Sequence, residues 1–311
     1  MREQYQVPVI FVVGATASGK SALAMDLAQA TGGVIFNCDS VQAYAKVHIG
    51  AAKPSAEDMR LVPHYLYSYV LPPREITAGD YRRDFVSALE TVPASKPVFV
   101  TGGTGFYFQA IERGMFPLPP VSEEVSSQVR LEFRKEGGRE KLYAELQRQD
   151  PEEAARIHIN DSYRLCRAIE ILRTSHQKPS EWRKKFSPQK PPFRLLKLGV
   201  RLPIEELERR ISLRAEGMLK RGLVEETKQL LDEGLGEWAP LRSVGYKEVQ
   251  DYLRGKSCLE ALKEQIVLHT RQLAKRQITW FQRDKEIFWL HPESEKKEAL
   301  SRVRGWLISL P

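Results

Sequence analysis

Short apolar runs alternate with amphipathic segments over the first third of the chain. Residues 9–13, 34–36 and 98–100 are uninterrupted apolar runs, as buried strands of a parallel sheet require. Between them, residues 21–30 and 77–89 carry apolar side chains four positions apart, which is helical spacing. Strands that alternate with helices predict an α/β fold with a parallel, doubly wound sheet.

The pattern changes in the middle of the chain, where two proline-rich stretches interrupt it. Between them the residues have helical spacing and no clear strand. Residues 195–200 then predict another strand, in which apolar residues are interrupted by Lys197, and helical spacing follows it. We therefore predict a sheet core flanked by helices, formed by residues 1–116 and 193–311. An all-helical insertion domain is predicted at 117–192.

A glycine-rich loop lies between the first apolar run and the first amphipathic segment. It fits the pattern G-x-x-x-x-G-K-[ST] and occupies the strand-to-helix position that this motif requires. Glycines let the backbone fold around an oxyanion, the helix N-terminus presents free N–H groups, and Lys20 adds a positive charge. The Ser21 hydroxyl is a candidate ligand of Mg²⁺. We expect a P-loop NTPase-like core that binds a di- or triphosphate through Gly14, Ala15, Thr16, Ala17, Ser18, Gly19, Lys20 and Ser21.

Two further segments are expected to approach this loop. Asp39 follows the second apolar run, and a second glycine-rich turn at 102–105 follows the third. Ligands of open α/β sheets bind beyond the carboxyl ends of the strands. Asp39 is compatible with metal binding, with a catalytic base or with a plain helix cap, and Thr104 with a site hydroxyl or a cap. Arg210 and Arg214 share one face of a later helix, where one of them is a candidate phosphate clamp.

Positive charge is concentrated in two stretches of the chain. The 311 residues carry a formal net charge of +8. Residues 156–190 hold nine Lys and Arg against three acidic residues, and residues 271–285 hold five against one. Two such patches on a phosphate-binding protein indicate a polyanionic partner. Basic residues beside Trp280 and Phe281 suit nucleic acid, although we assign both aromatic side chains to the core.

Cysteine usage and hydropathy both point to the cytoplasm. The three cysteines lie far apart and include no CxxC pair, so neither a disulfide framework nor a zinc site is expected. No apolar run approaches the ~18 residues of a membrane span, and the N-terminus leads into a strand without a signal peptide. We expect a cytoplasmic monomer that binds no membrane.

The phosphate chemistry stays open at this stage. One interpretation is a small-molecule kinase that uses ATP, with the helical insertion as its lid. Another is a transferase that holds pyrophosphate as the leaving group while Asp39 removes a proton from the attacking nucleophile. A motor or helicase NTPase is disfavoured, because no apolar strand ends in Asp-Glu.

A set of motifs, taken together and in order, carries a family resemblance. They are G-A-T-A-S-G-K-S at 14–21, D-S-V-Q-A-Y at 39–44, G-G-T-G-F-Y at 102–107, N-D at 160–161 with Arg164 and Arg167, G-Y-K-E at 245–248, and T-R-Q-L-A-K-R-Q-I-T-W at 270–280. Over essentially the whole chain this set resembles the bacterial tRNA dimethylallyltransferase (tRNA isopentenyltransferase) family. The chain departs from the family pattern at Ala15, Ser21 and Ala51.

The resemblance implies transfer of a dimethylallyl group from dimethylallyl diphosphate to N6 of adenosine 37 in tRNA, with release of pyrophosphate. The glycine-rich loop would hold the diphosphate with the help of Mg²⁺, and Arg214 would neutralise the departing pyrophosphate. Asp39 would accept the N6 proton, and Thr104 would contact the same nucleotide. Extruding the base from the anticodon loop costs a few kcal/mol, which contacts to the anticodon stem would offset.

The predicted tRNA contacts come from three parts of the chain. They are Asp39, Ser40, Val41, Gln42 and Thr104 near the sheet, Tyr163, Arg164, Leu165, Cys166 and Arg167 in the insertion, and Arg271, Lys275 and Arg276 near the carboxyl end. The remaining alternatives are a prenyltransferase acting on free adenine nucleotides, an ATP-dependent kinase, and an RNA-binding protein with a vestigial loop.

Overall fold

The computed structural model describes residues 7–115, 121–185 and 193–310. Its sheet has six strands in the order β3-β2-β4-β1-β5-β6, and all neighbouring strands run parallel. The strands are β1 (Pro8–Gly14), β2 (Val34–Asn37), β3 (His64–Tyr65), β4 (Val98–Gly102), β5 (Arg194–Val200) and β6 (Phe288–Leu290). The predicted parallel α/β fold is confirmed.

Helices make up most of the remaining structure. They are α1 (Lys20–Thr31), α2 (Ala56–Leu61), α3 (Ala78–Glu90), α4 (Gly105–Arg113), α5 (Glu123–Arg134), α6 (Gly138–Gln149), α7 (Pro151–Ala154), α8 (Ser162–Ser175), α9 (Pro179–Lys185), α10 (Ile204–Lys220), α11 (Leu223–Asp232), α12 (Tyr246–Leu253), α13 (Leu259–Phe281) and α14 (Lys296–Ile308). Within the described ranges, no helix is both long and apolar enough to cross a bilayer.

Strand β1 lies inside the sheet, between β4 and β5. All seven of its residues are buried, as the apolar run predicts. Val13 is paired with Gly102 of β4, while Asn37 of β2 is paired with Thr101 on the other side of β4. The carboxyl ends of β1, β2 and β4 therefore lie side by side. The loops that follow these three strands meet at one edge of the sheet.

The chain divides into two compact units, Met1–Arg113 with Lys190–Pro311, and Gly114–Gln189. The first unit contains the whole sheet. The described part of the second unit consists of α5 to α9 and their connecting turns, around its own apolar core. The proline-rich boundaries that the sequence predicts, 117–120 and 187–192, lie outside the described residues.

Candidate active site

The loop between β1 and α1 has the backbone of an anion-binding loop. Gly19 precedes α1 with a φ of 92°, and Ala17 also lies in the left-handed region at 63°. Ser18 N–H closes a turn onto the Ala15 carbonyl at 3.2 Å. Among the described residues, Ala17 and Gly19 N–H donate to no other group. Together with the first turn of α1, these N–H groups can receive an oxyanion.

Lys20 carries the loop's positive charge. Its Nζ donates to the Ala15 carbonyl at 3.1 Å. Burial lowers the pKa of Lys20 to about 8, Asp39 opposes that shift, and the neighbouring Arg214 charge adds to it. A bound anion would favour the charged form of this lysine.

Of the two candidate clamps on α10, Arg214 is the one that remains available to a ligand. It is partly buried, and burial lowers its pKa while Asp39 opposes the shift. Within the described ranges it forms no hydrogen bond and no ion pair. Arg210, one turn earlier, is bound by Glu206 at 2.7 Å and by Glu293. Of the two candidate clamps, Arg214 is therefore the one that forms no ion pair with a described residue.

Asp39 uses its two carboxylate oxygens differently. Oδ1 accepts the backbone N–H of Val41 at 2.9 Å, and the Asn37 side chain binds the Asp39 backbone on both sides. Oδ2 faces the second glycine-rich turn, 3.7 Å from where a Cβ on Gly103 would lie. The carboxylate therefore caps the 39–42 turn with one oxygen, while Oδ2 accepts no hydrogen bond from a described residue and stays compatible with metal binding or with a catalytic base.

Thr104 connects the two segments that follow β2 and β4. Its Oγ1 accepts Ser40 N–H at 2.9 Å and donates to the Ser40 hydroxyl at 3.3 Å. Its own backbone N–H donates to the Cys38 carbonyl at 3.2 Å. These contacts fix the position of Asp39 relative to the second glycine-rich turn.

Gln277 on α13 is a site residue to which the sequence assigned no role. Its side chain is 8% exposed. Oε1 accepts Thr16 N–H at 2.8 Å, and Nε2 donates to the Gly103 carbonyl at 3.0 Å. The only signal in the sequence is its place inside the T-R-Q-L-A-K-R-Q-I-T-W motif. Because of this bond, Thr16 can offer a ligand its hydroxyl but not its N–H.

Trp280 corrects an expectation, because its indole is not part of the core. The ring lies against Gly105, where an added Cβ would be 2.2 Å from Cδ1. The residue is 37% exposed, whereas Phe281 is buried as expected. The half-exposed ring lines a cavity of about 290 Å³ together with Phe108 and Arg283.

The described residues contain one cluster of three acidic side chains spaced for a metal: Glu112, Asp284 and Glu286. Its centre is already filled by the Lys197 ammonium, whose Nζ lies 2.7, 2.7 and 2.8 Å from these carboxylates. Burial disfavours the charge of Lys197, but the three carboxylates outweigh burial and raise its pKa. The cluster is thus an internal ion network rather than a metal centre.

The sequence profile of the IPP transferases matches residues 42–284 of this chain. The chain belongs to the IPP transferase family. It is 54% identical to the tRNA dimethylallyltransferase of Bdellovibrio bacteriovorus over 301 residues, which span 96% of this chain and 98% of that relative. It is 41% identical to tRNA dimethylallyltransferase 1 of Citrifermentans bemidjiense, over 98% of this chain and 99% of the relative. The resemblance predicted from the motifs is confirmed.

Solved structures of the family have the same fold. The tRNA isopentenylpyrophosphate transferase of Bacillus halodurans superposes with a TM-score of 0.70 at 28% identity, covering 97% of both chains. A eukaryotic dimethylallyltransferase acting on tRNA superposes with a TM-score of 0.84 at 26% identity. That match covers 98% of this chain and 80% of the eukaryotic chain.

The tRNA contacts implied by the family resemblance differ in accessibility on α8. Tyr163 is 73% exposed, and Arg164 is exposed beside Asp161. The Leu165 side chain is fully buried in the core of the helical unit, because it faces inward on α8. Cys166 packs partly against the same core. Arg167 is half-buried and paired with a glutamate of its own helix.

The other implied tRNA contacts lie in the sheet unit. On α13, Lys275 and Arg276 are exposed, and Arg271 is exposed while paired with Glu208 at 2.9 Å. The Gln42 amide nitrogen donates to the carbonyls of Ala51 and Ala52, both at 3.1 Å, so only Oε1 remains for a ligand. Val41 packs partly against the apolar core, and Ser40 is held by Thr104.

Proposed function

We propose that this protein transfers the dimethylallyl group of dimethylallyl diphosphate to N6 of adenosine 37 in the tRNA anticodon loop. The observation that carries the proposal is the grouping of Lys20, Arg214 and Asp39 beside the glycine-rich loop. Two cations without acidic hydrogen-bond partners suit a diphosphate, and one fixed carboxylate suits an amine nucleophile. The relatives named as tRNA dimethylallyltransferases support it.

The proposed reaction breaks a carbon–oxygen bond and leaves the phosphates joined. The allylic C1–O bond breaks, N6 forms the new C–N bond, and pyrophosphate departs with the bonding electrons. Lys20, Arg214 and the loop N–H groups stabilise its growing negative charge. Asp39 Oδ2 takes the proton that N6 loses. Neutralising the leaving group is the larger task, because an adenine amine is a weak nucleophile.

The residues present fit a magnesium ion bound with the diphosphate. The Ser21 hydroxyl is exposed in the first turn of α1 and, among the described residues, has no hydrogen-bond partner. It would be a protein ligand, with diphosphate oxygens and water completing the shell. When bound, Mg²⁺ would supply further positive charge for the departing pyrophosphate.

We also propose that the exposed cations of α13 and α8 grip the RNA backbone. Lys275, Arg276 and Arg164 are exposed, and such contacts give salt-dependent affinity. A small acceptor such as a free nucleotide needs no such surface, which favours tRNA over free adenine nucleotides. We further propose a monomer in the cytoplasm.

One experiment separates these functions. In parallel reactions, the protein and labelled dimethylallyl diphosphate are incubated with an unmodified anticodon stem–loop or with AMP. A third reaction contains ATP and candidate acceptors. We expect label on the stem–loop and equimolar pyrophosphate. Label on AMP alone would favour the free-nucleotide alternative, and ATP consumption without label transfer would favour a kinase.

A further inference from the structure

The end of α13 packs directly on the second glycine-rich turn. Gln277, Trp280 and Phe281 share one face of the helix, being three and four positions apart. The Trp280 indole lies on Gly105. The Phe281 ring packs edge-on against Phe108, with centroids 5.7 Å apart. Gln277 is thus carried on a helical turn that is anchored by two aromatic contacts.

The glycine at position 103 makes room for the Gln277 amide. A Cβ on Gly103 would lie 2.1 Å from Gln277 Nε2, and no side chain tolerates that distance. The backbone of the turn is therefore close enough for Nε2 to bond the Gly103 carbonyl at 3.0 Å. This bond sets the orientation of the amide and directs Oε1 toward the other loop.

Oε1 of the same amide binds the beginning of the phosphate loop. Thr16 N–H donates to it at 2.8 Å, across 261 positions of sequence. The bond is largely shielded from water, because Gln277 is only 8% exposed. It fixes the peptide that enters the loop, and with it the direction of the free N–H groups of Ala17 and Gly19. One side chain therefore sets the spacing between the loop that holds phosphate and the turn that faces Asp39.

We infer that Gln277 is a positioning residue that holds the phosphate loop in its anion-binding conformation and in register with the second glycine-rich turn. The inference rests on the proposed function only in that the loop's ligand is taken to be dimethylallyl diphosphate. Both polar atoms of the Gln277 side chain are used by protein backbone, so the role we infer is positioning and not contact with a ligand.

The decisive variant is Gln277→Met, which keeps the length of the side chain and removes both hydrogen bonds. We expect the Thr16 amide to exchange with solvent at least about tenfold faster, because its acceptor is gone. The Kd for dimethylallyl diphosphate should rise about fivefold to tenfold, as expected for the loss of one or two buried hydrogen bonds. Gln272→Met, an exposed glutamine on the same helix, is the matched control and should change neither value.

A second variant tests the same contact from the other side. Gly103→Ala places a methyl group against Nε2 and should displace the Gln277 amide without altering it. It should reproduce both the faster Thr16 exchange and the weaker diphosphate binding. The Gly103→Ala/Gln277→Met double variant should be no worse than the more affected single variant, since both act on one contact.

The inference is wrong if Gln277→Met folds and keeps Thr16 protection and diphosphate affinity within about twofold of the unmodified protein. If that variant does not fold, Gly103→Ala decides by the same two measurements. Failure of the proposed function has a different signature: the unmodified protein would transfer no label to RNA. Thr16 exchange would still report on Gln277 in that case.

Discussion

Two glycine-rich turns follow neighbouring strands of the sheet, and glycine has a different purpose in each. In the loop after β1, Gly19 has a φ of 92°, a conformation that side-chain-bearing residues rarely adopt. In the turn after β4, neither Gly103 nor Gly105 has a positive φ. There the missing Cβ makes room for the Gln277 amide and the Trp280 indole.

Because of this difference in the role of glycine, the first loop can stay open for an anion while side chains of α13 cover the second. The first turn leaves backbone N–H groups free, whereas the second is covered by side chains of α13. Both follow the carboxyl end of a buried strand, so the sequence predicted that the two turns lie close together. We call the loop at 14–21, which we propose binds the diphosphate, the binding wall, and the turn at 102–105, which Asp39 faces, the supporting wall.

The largest effect is expected at Asp39, which lies between the two turns. Asp39→Asn keeps an Oδ1 acceptor for Val41 N–H but removes the base, so the rate of prenyl transfer should fall about 10²–10⁴-fold. Single-turnover transfer to the stem–loop measures it, and diphosphate affinity should stay within about twofold. Asp58→Asn, which alters another capping carboxylate, is the control. A rate within threefold of the unmodified protein would remove Asp39 from the mechanism.

The next largest effect is expected at Lys20, in the binding wall. Lys20→Met should weaken dimethylallyl diphosphate binding about 10–100-fold, because a charge-assisted hydrogen bond to phosphate is lost. Titration calorimetry measures the affinity. Lys53→Met is the matched control, since burial also lowers the pKa of Lys53 to about 8 but this lysine binds backbone carbonyls outside the loop. Equal losses in both variants would contradict a specific role for Lys20.

The pH dependence of diphosphate affinity tests the charge of Lys20 in the same loop. Burial lowers the pKa of Lys20 to about 8, so its charge is present at pH 7 and is lost as pH rises through 8. Diphosphate affinity should therefore decline above pH 8, approaching tenfold per pH unit, and Lys20→Arg should flatten the decline. The free energy of unfolding depends on pH in the opposite direction. Between about pH 8 and 10.5 the unfolded chain holds the Lys20 proton more tightly, so this lysine's contribution to stability increases with pH.

The smallest effect is expected on the supporting wall. Gly105→Ala places a Cβ 2.2 Å from the Trp280 ring, which can swing outward because it lies at the surface. We expect a loss of about 1 kcal/mol in the free energy of unfolding and a red shift of tryptophan emission. Gly217→Ala, in open space on α10, should instead be neutral or stabilising. An unchanged emission spectrum in Gly105→Ala would contradict the contact.

Much of the fold follows from local pattern, and its exceptions have physical causes. Strands β1, β2 and β4 coincide with the continuous apolar runs, since strands buried on both faces need no alternation. Strand β5 was predicted in spite of Lys197, which interrupts its apolar residues. Strand β6, at Phe288–Leu290, was not predicted, because three residues give no period to detect. The burial of Leu165 was not predicted, because a motif is a stretch of consecutive residues, whereas a helix directs inward only those that lie on its buried face.

The conformation of the candidate site could be predicted only where all of its parts lie within one continuous motif. The glycine loop is such a case, because strand, turn and helix N-terminus are contiguous. Gln277 is not, because its two partners lie 261 and 174 positions away and glutamine has no spacing signature. The exposure of Trp280 also could not be predicted, since Gly105, which the indole covers, is remote in sequence.

The register of β1 has a consequence for the order in which the chain folds. Pro8 is paired with Arg194, so the strand that leads into the phosphate loop gains its second neighbour only after the whole helical unit has been synthesised. Pairings of such long range form late and slowly, whereas contacts in the described part of the helical unit, such as Arg173 with Glu132 across 41 positions, are shorter in range. Gln277, the partner of Thr16 on α13, is synthesised later still. On the ribosome the loop is thus completed late, although its residues are synthesised early.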